Sequence, residues 1–304
     1  MDFFIQQLFN ALQLGSLYAL IALGYSMVYG VLLLINFAHG DIFMVGAFLG
    51  VFGSMVLDLP FVPTLILAMI LTGLSGVMIE RVAYKPLRHA SRLSAVITAL
   101  GVGLLLENGM LALTGADPRS YPDNIKNLNP PLLPETIEIT DAGVSSETIL
   151  IIVLAVLLFL GLYAIVQRTK WGMAMRAISY DKFAVPLMGV SQDQIISLTF
   201  LLGTGLAAAG GILWGVAYPI LNPYMGMRIG WKAFIAAVVG GIGDIRGAAV
   251  GGMLLGFIEI FVPAYGKDIG ISSTWRDPIA FGLLLLILVV RPTGLFGVAR
   301  RQKV

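Results

Sequence analysis

Eight stretches of this chain are apolar over nearly the length a helix needs to cross a bilayer, about 20 residues. They cover residues 9–35, 42–57, 62–79, 93–113, 149–166, 195–216, 231–262 and 279–290. The seventh is interrupted by GGIGDIRG at residues 240–247, which sets Asp244 and Arg246 between two apolar halves. If the chain turns there, the two halves are separate elements and the count is nine; if not, it is eight, and one further short element near the start would bring the upper count to ten. Only 12% of the residues are charged and 58% are hydrophobic, against about 25% charged in a soluble domain. The expected fold is therefore an all-α polytopic membrane protein of eight to ten spans, some short or discontinuous, built as one domain over residues 1–304.

Charge asymmetry between loops orients such a chain, because Lys and Arg are retained on the cytoplasmic side. Residues 81–92 carry Arg81, Lys85, Arg88 and Arg92; residues 168–194 carry Arg168, Lys170, Arg176 and Lys182; the tail ends in Arg300, Arg301 and Lys303. These three regions are expected inside. Residues 115–147 hold six acidic residues against Arg119 and Lys126, with five prolines, and are expected as an external loop that serves as a connection, lid or landing surface. With these sides fixed, a cytoplasmic C-terminus follows only if the glycine-rich break reverses the chain. The start MDFFIQQLF lacks the basic region of a cleavable signal, so none is expected.

Residues 168–194 are polar although they lie between two spans. Met173, Ala177, Tyr180 and Ala184 fall on one face of a short helix there, with Arg176, Ser179 and Lys182 elsewhere on its circumference. Pro186 and Gly189 are expected to stop it. An interfacial helix resting on headgroups would look similar, but a turn between spans needs few residues, which favours a docking element for a soluble partner.

Polar residues inside the apolar runs are candidates for a translocation path, because burying them in lipid is costly. They are Asn36, His39 and Asp41 in INFAHGD, Glu107 and Asn108 in the fourth run, Lys232, and Asp244 in the glycine-rich break. INFAHGD fits a tight surface turn and a discontinuous helix lining a path equally well. Glu107 fits a position in the membrane or at its wet external edge, and Glu259 shares that ambiguity. Gly203, Ala207, Gly211 and Gly215, and farther on Gly243, Gly247 and Gly251, form small-residue ladders suited to close helix packing. There is no cysteine and there are only two histidines, which excludes disulfides, thiolate sites and a histidine-built metal centre. No G-x-x-x-x-G-K-[ST], G-x-S-x-G or H-E-x-x-H occurs, so no Walker A loop or familiar hydrolase nucleophile is present. The small net charge of +2 brings no basic tract for nucleic acid.

Four segments in order, INFAHGDIFMVGAF (35–48), IERVAYKPLR (79–88), GMAMRAISYDKFAVPLMGV (172–190) and KAFIAAVVGGIGDIRGAAVGG (232–252), resemble the LivH-type permease of branched-chain amino acid ABC importers. The likeness runs over nearly the whole chain. It implies the importer permease fold and a role as one transmembrane half in the bacterial plasma (inner) membrane. It also implies partners: a second permease subunit (LivM-type, or a second copy), two cytoplasmic ATPase subunits that hold ATP and Mg, and an external solute-binding protein. Residues 168–194 match the family's cytoplasmic coupling loop, which assigns ATPase contact to Arg176, Ala177, Asp181 and Gly189. Asp244 departs from the serine more usual there. The resemblance implies no enzymatic site and no cofactor in this chain itself. Related permeases carry urea, short amides or sugars, and these remain alternatives for the solute. An ion-coupled secondary transporter using Asp41, Glu107 and Lys232, or an intramembrane enzyme using His39 and Asp41, are the rival classes.

Overall fold

The computed structural model describes residues 2–88, 90–121, 136–139, 142–182, 184–266 and 270–297. The basic tail at Arg300, Arg301 and Lys303, and most of the external loop with Asp123, Lys126, Glu135 and Asp141, lie outside the described residues, as do four of that loop's five prolines.

The described chain is helical nearly throughout. In order, the elements are α1 (Asp2–Leu32), α2 (His39–Met55), α3 (Phe61–Ile79), α4 (Arg92–Thr114), a hairpin of β1 (Thr136–Ile139) and β2 (Ala142–Ser145), α5 (Ser146–Arg168), α6 (Lys170–Tyr180), α7 (Ala184–Leu187), α8 (Gln192–Ala217), α9 (Met225–Gly241), α10 (Ile245–Gly266) and α11 (Arg276–Val290). A π turn, Glu80–Tyr84, and a 3-10 turn, Lys85–Leu87, extend α3, while a 3-10 turn, Ser273–Trp275, leads into α11. Seven described helices are long and apolar enough to cross a membrane: α1, α3, α4, α5, α8, α10 and α11, with the turns that extend α3 and α11. Two further helices, α2 and α9, are shorter, at 17 residues each. The fold is an all-α polytopic membrane architecture; its one sheet among the described residues is the small antiparallel hairpin, which the sequence pattern did not foretell.

The glycine-rich break does reverse the chain. Gly240 of α9 lies against Gly247 of α10, and Ala236 against Gly251, so the two helices run antiparallel from the turn between them. That turn needs left-handed backbone at Gly241 (φ +112°) and Gly243 (φ +97°), which an L side chain disfavours. With no side chain at 247 or 251, the helix backbones meet directly. The carbonyl of Ala236 occupies the space a Cβ on Gly251 would need. The segment after α11 folds back on this turn, donating Leu295 N–H to Val239 O and Phe296 N–H to Gly240 O, both at 2.9 Å. Carbonyls left over at the end of α9 are thereby satisfied without water.

α1 and α8 form the axis of the bundle. α1 is buried along almost its whole length from Leu14 to Leu32 and packs chiefly on α10, α8 and α9. α8 buries its small-residue ladder against several partners at once: Gly203 meets Gly24 of α1, Gly211 meets Phe43 and Ala47 of α2, and Gly215 receives the ring of Tyr121. Around this axis, α3, α4, α5 and α11 turn apolar faces outward, including Ile66, Ile70 and Leu74 on α3 and Leu285, Val289 and Val290 on α11. In water such faces would be costly; in hydrocarbon they are the ordinary lipid-facing surface.

The two ends of the bundle are tied by different contacts. At the basic end, Arg88 pairs with Glu80 and Asp193, Lys85 reaches Asp193 at 2.6 Å, and Ser197 donates to Glu80 at 2.9 Å, tying the end of α3 to the start of α8. At the opposite end Arg119 and Leu221 form a backbone bridge, and the phenol of buried Tyr121 donates to Ala47 O at 2.8 Å.

Candidate translocation cavity and coupling surface

Residues 33–38 join α1 to α2 without helical structure, and they do not lie flat at a surface. Asn36 and Ala38 are buried, and His39 and Asp41 open α2 deep in the protein. Asn36 is held by the phenol of Tyr84, which donates to its Oδ1 at 2.6 Å, while Ala38 N–H donates to the same oxygen at 3.1 Å. The buried His39 ring packs beside Tyr25 (centroids 4.6 Å apart) and closes over Gly24. The backbone between α1 and α2 is thus non-helical and largely packed within the protein, a setting that tolerates such backbone.

Beside this break lies a cavity of about 190 Å³. Its walls come from α1 (Tyr25), the connecting segment (Phe37), α2 (Asp41), α4 (Leu100, Gly103, Leu104, Glu107) and α9 (Gly226, Met227, Gly230, Trp231, Phe234). Phe37, Trp231 and Phe234 form an aromatic cluster with centroids 5.4–6.1 Å apart. Glycines let the two short helices approach: Gly40 of α2 sits against Gly226 and Gly230 of α9. The carboxylate of Asp41 lies between Gly103 and Gly226, and it interacts electrostatically with Glu107. Glu107 is itself buried.

Of the sequence candidates, Asp41 and Glu107 line this cavity, and Asn36 and His39 shape the break beside it. Three lie elsewhere. Asn108 is exposed on α4 and donates to Leu104 O one turn back. Lys232 follows Trp231 but points away from the cavity. It binds Glu259 at 2.7 Å and Asp277 at 2.8 Å, and Glu259 also takes Arg276 at 2.7 Å and the phenol of Tyr18. Asp244 caps α10, accepting from Gly247 N–H at 2.8 Å; serine can make the same cap, so the charge there signals no solute. The aromatic wall escaped the sequence reading because Phe37, Trp231 and Phe234 look like ordinary apolar residues of a span. Their proximity to INFAHGD and Lys232 was the one available hint.

At the basic end, α6 buries Gly172, Met175 and Ile178 and leaves Met173, Ala177 and Tyr180 outward; Ala184, Leu187 and Met188 continue that exposed surface through α7. Tyr180 and Leu187 are 89% and 88% exposed. The helix ends at Tyr180, before Pro186 and Gly189, because the backbone turns extended at Asp181. Asp181 Oδ1 then accepts from Ala184 N–H at 3.0 Å to start α7, and Gly189 (φ +79°) closes the turn after it. Arg176 is turned inward, its guanidinium on Val166 O at the end of α5. Among the four coupling assignments, Ala177, Asp181 and Gly189 are surface positions and Arg176 is an internal brace. Lys182 donates to Leu32 O at 2.9 Å, so this surface is tied directly to the last residue of α1, just before the break that leads to the cavity.

A bundle with seven helices of spanning length, a cavity lined by buried carboxylates and an anchored amphipathic helix at its basic end fits a membrane permease. The family described as "Branched-chain amino acid transport system / permease component" matches residues 7–289, and the chain belongs to that family. It is 40% identical over 314 residues to the high-affinity branched-chain amino acid transport system permease protein BraD of Pseudomonas aeruginosa, covering 99% of this chain and 98% of that protein. It is 37% identical over 310 residues, with the same coverages, to the permease protein LivH of Escherichia coli K12. Among solved structures it is similar to PsaBC from Streptococcus pneumoniae in complex with Fab (TM-score 0.47, 14% identity, 96% of this chain and 93% of that one).

Proposed function

We propose that this chain is one transmembrane half of an ATP-driven importer for branched-chain or similar neutral amino acids. The observation that carries the reading is the near-complete alignment, at 40% identity, with a permease protein of high-affinity branched-chain amino acid transport. It sits in the plasma membrane with the basic end and C-terminus cytoplasmic, as the distribution of Lys and Arg favours. Its partners are a second permease subunit, two cytoplasmic ATPases that hold ATP and Mg, and an external solute-binding protein.

In this reading the outward face of α6 and α7 seats on an ATPase subunit. ATP-driven closure of the ATPases displaces α6 as a rigid lever, because its inner face is packed and Arg176 braces it to α5. The displacement reaches α1 through Lys182 and Leu32, and residues 33–38 convert it into movement of α2 against α9. The cavity then opens alternately to either side. Its apolar wall suits an aliphatic side chain.

The test is purification of the tagged chain from its native membrane in mild detergent, as wild type and as Tyr180→Glu/Leu187→Glu. The wild type should retain ATPase subunits and a second permease, and should import leucine with ATP after reconstitution with its binding protein. The double variant should lose the ATPases and uptake together. A wild type that moves solute without any ATPase would sink the importer reading in favour of a secondary transporter.

A further inference from the structure

Two buried carboxylates facing one largely apolar cavity call for a countercharge, because burying even one ionised carboxylate in low dielectric is expensive. Asp41 and Glu107 are more than nine-tenths buried, at 6% and 8% exposure, and both line the cavity between α4 and α9. Asp41 Oδ1 is shielded from solvent and has no hydrogen-bond partner. No Lys, Arg or His lines this cavity among the described residues; of the two cations next to lining residues, Arg228 after Met227 is exposed and Lys232 after Trp231 is taken by Glu259 and Asp277. The contrast with Glu259 is instructive, since that equally buried carboxylate is fully engaged by Lys232, Arg276 and Tyr18. What Asp41 lacks is a cation, and the space in front of it is walled by Phe37, Trp231 and Phe234.

We propose that this cavity is a subsite for an aliphatic ammonium group, with Asp41 as the primary acceptor and Glu107 as the second. It receives the α-ammonium of the amino-acid solute, and the aromatic wall takes its hydrocarbon side chain. The inference rests on the permease reading above and adds to it the part of the solute that this subunit recognises. Aromatic faces favour the same charge, since their quadrupole attracts cations. The glycines at 103 and 226 put backbone rather than side chain beside the Asp41 carboxylate.

The test uses the purified wild-type importer complex and a hydrophobic carbodiimide that modifies buried carboxyl groups, with sites of modification read by peptide mass spectrometry. Asp41 or Glu107 should be labelled, and L-leucine and 3-methylbutylamine should each slow that labelling several-fold. The amine-free acid 4-methylpentanoate should not. In parallel, Asp41→Asn and Glu107→Gln complexes that co-purify with all partners should show leucine uptake reduced by roughly tenfold or more, the usual consequence of removing one member of a buried charge pair. Asp41→Glu should recover part of it. Absence of labelling, labelling unaffected by leucine, or protection by 4-methylpentanoate equal to that by leucine overturns the subsite. Protection by sodium or potassium chloride alone as complete as by leucine assigns the site to an inorganic cation and also overturns it. A wild-type complex with no ATP-dependent leucine uptake would instead defeat the permease reading itself, an outcome visible before any variant is made.

Discussion

Lys232→Met is the perturbation whose cost the structure fixes best. Lys232 is buried, with its ammonium 2.7 Å from Glu259 and 2.8 Å from Asp277. Glu259 is 0% exposed and also accepts from Arg276 at 2.7 Å and from the Tyr18 phenol at 3.2 and 3.3 Å. Methionine keeps the length of the side chain and removes the charge. Breaking a wholly buried pair by deleting one partner costs about 3–5 kcal/mol. Here Glu259 keeps two donors and the half-exposed Asp277 can turn toward water, so the cost should fall at the lower edge, about 3 kcal/mol. Glu259→Gln in the same background removes the stranded charge. The double variant should then be more stable than the two single losses summed by at least about 1 kcal/mol, as expected for groups in direct contact. The assay is unfolding of the purified protein in mixed micelles by rising dodecyl sulfate, followed by tryptophan fluorescence. Strict additivity, or no shift of the midpoint for Lys232→Met, would refute the claim that this network is a closed, mutually satisfied set of charges.

Gly251→Leu should abolish stable accumulation in the membrane, because the space its Cβ needs is filled by the Ala236 carbonyl; immunoblotting of membranes checks this. Asp244→Ala should cost about 1 kcal/mol in the same unfolding assay, whereas Asp244→Ser should be nearly neutral, since only the cap to Gly247 N–H is at stake. Gly241→Ala should cost about 1–2 kcal/mol from its left-handed φ alone, before any crowding by the C-terminal segment. Lys182→Met should leave the ATPase subunits bound while lowering leucine uptake per ATP hydrolysed. Equal coupling ratios in variant and wild type would remove Lys182 from the lever.

The apolar spans were legible because hydrocarbon imposes a length and a polarity that any apolar run must meet; their number was less so, since seven described helices have spanning length while α2 and α9 are shorter. The reversal at residues 240–247 was legible as an alternative; the structure decides it through Gly240 meeting Gly247. The outward face of α6 was also visible, since Met173, Ala177 and Tyr180 share a helical face, but its direction was not. An apolar stripe marks a face to be covered without saying by what, and here the protein's own contacts go to Gly172, Met175 and Ile178 instead. Arg176 illustrates the same limit, because only coordinates show a cation spent on the Val166 carbonyl. Polar residues in spans marked Asp41 and Glu107, which the structure places on one cavity. They could not separate a residue facing a cavity from Lys232, whose charge is neutralised inside the bundle, or from Asn108, whose amide is satisfied by its own helix.

The contact between α1 and α10 has a consequence in time. Tyr18 and Glu259 lie 241 residues apart in the chain, so α1 leaves the ribosome long before α10, one of its main packing partners, exists. At synthesis rates of about 5–20 residues per second, α1 waits on the order of ten seconds or more in lipid or in the insertion machinery with its small-residue seam uncovered. The centre of the finished bundle is therefore among the last regions to close, and α10 acts as the keystone of assembly. Chains interrupted before Gly251 and Gly252 arrive would hold every earlier span and still leave the α10-facing side of α1 uncovered, which makes them natural substrates for membrane proteases.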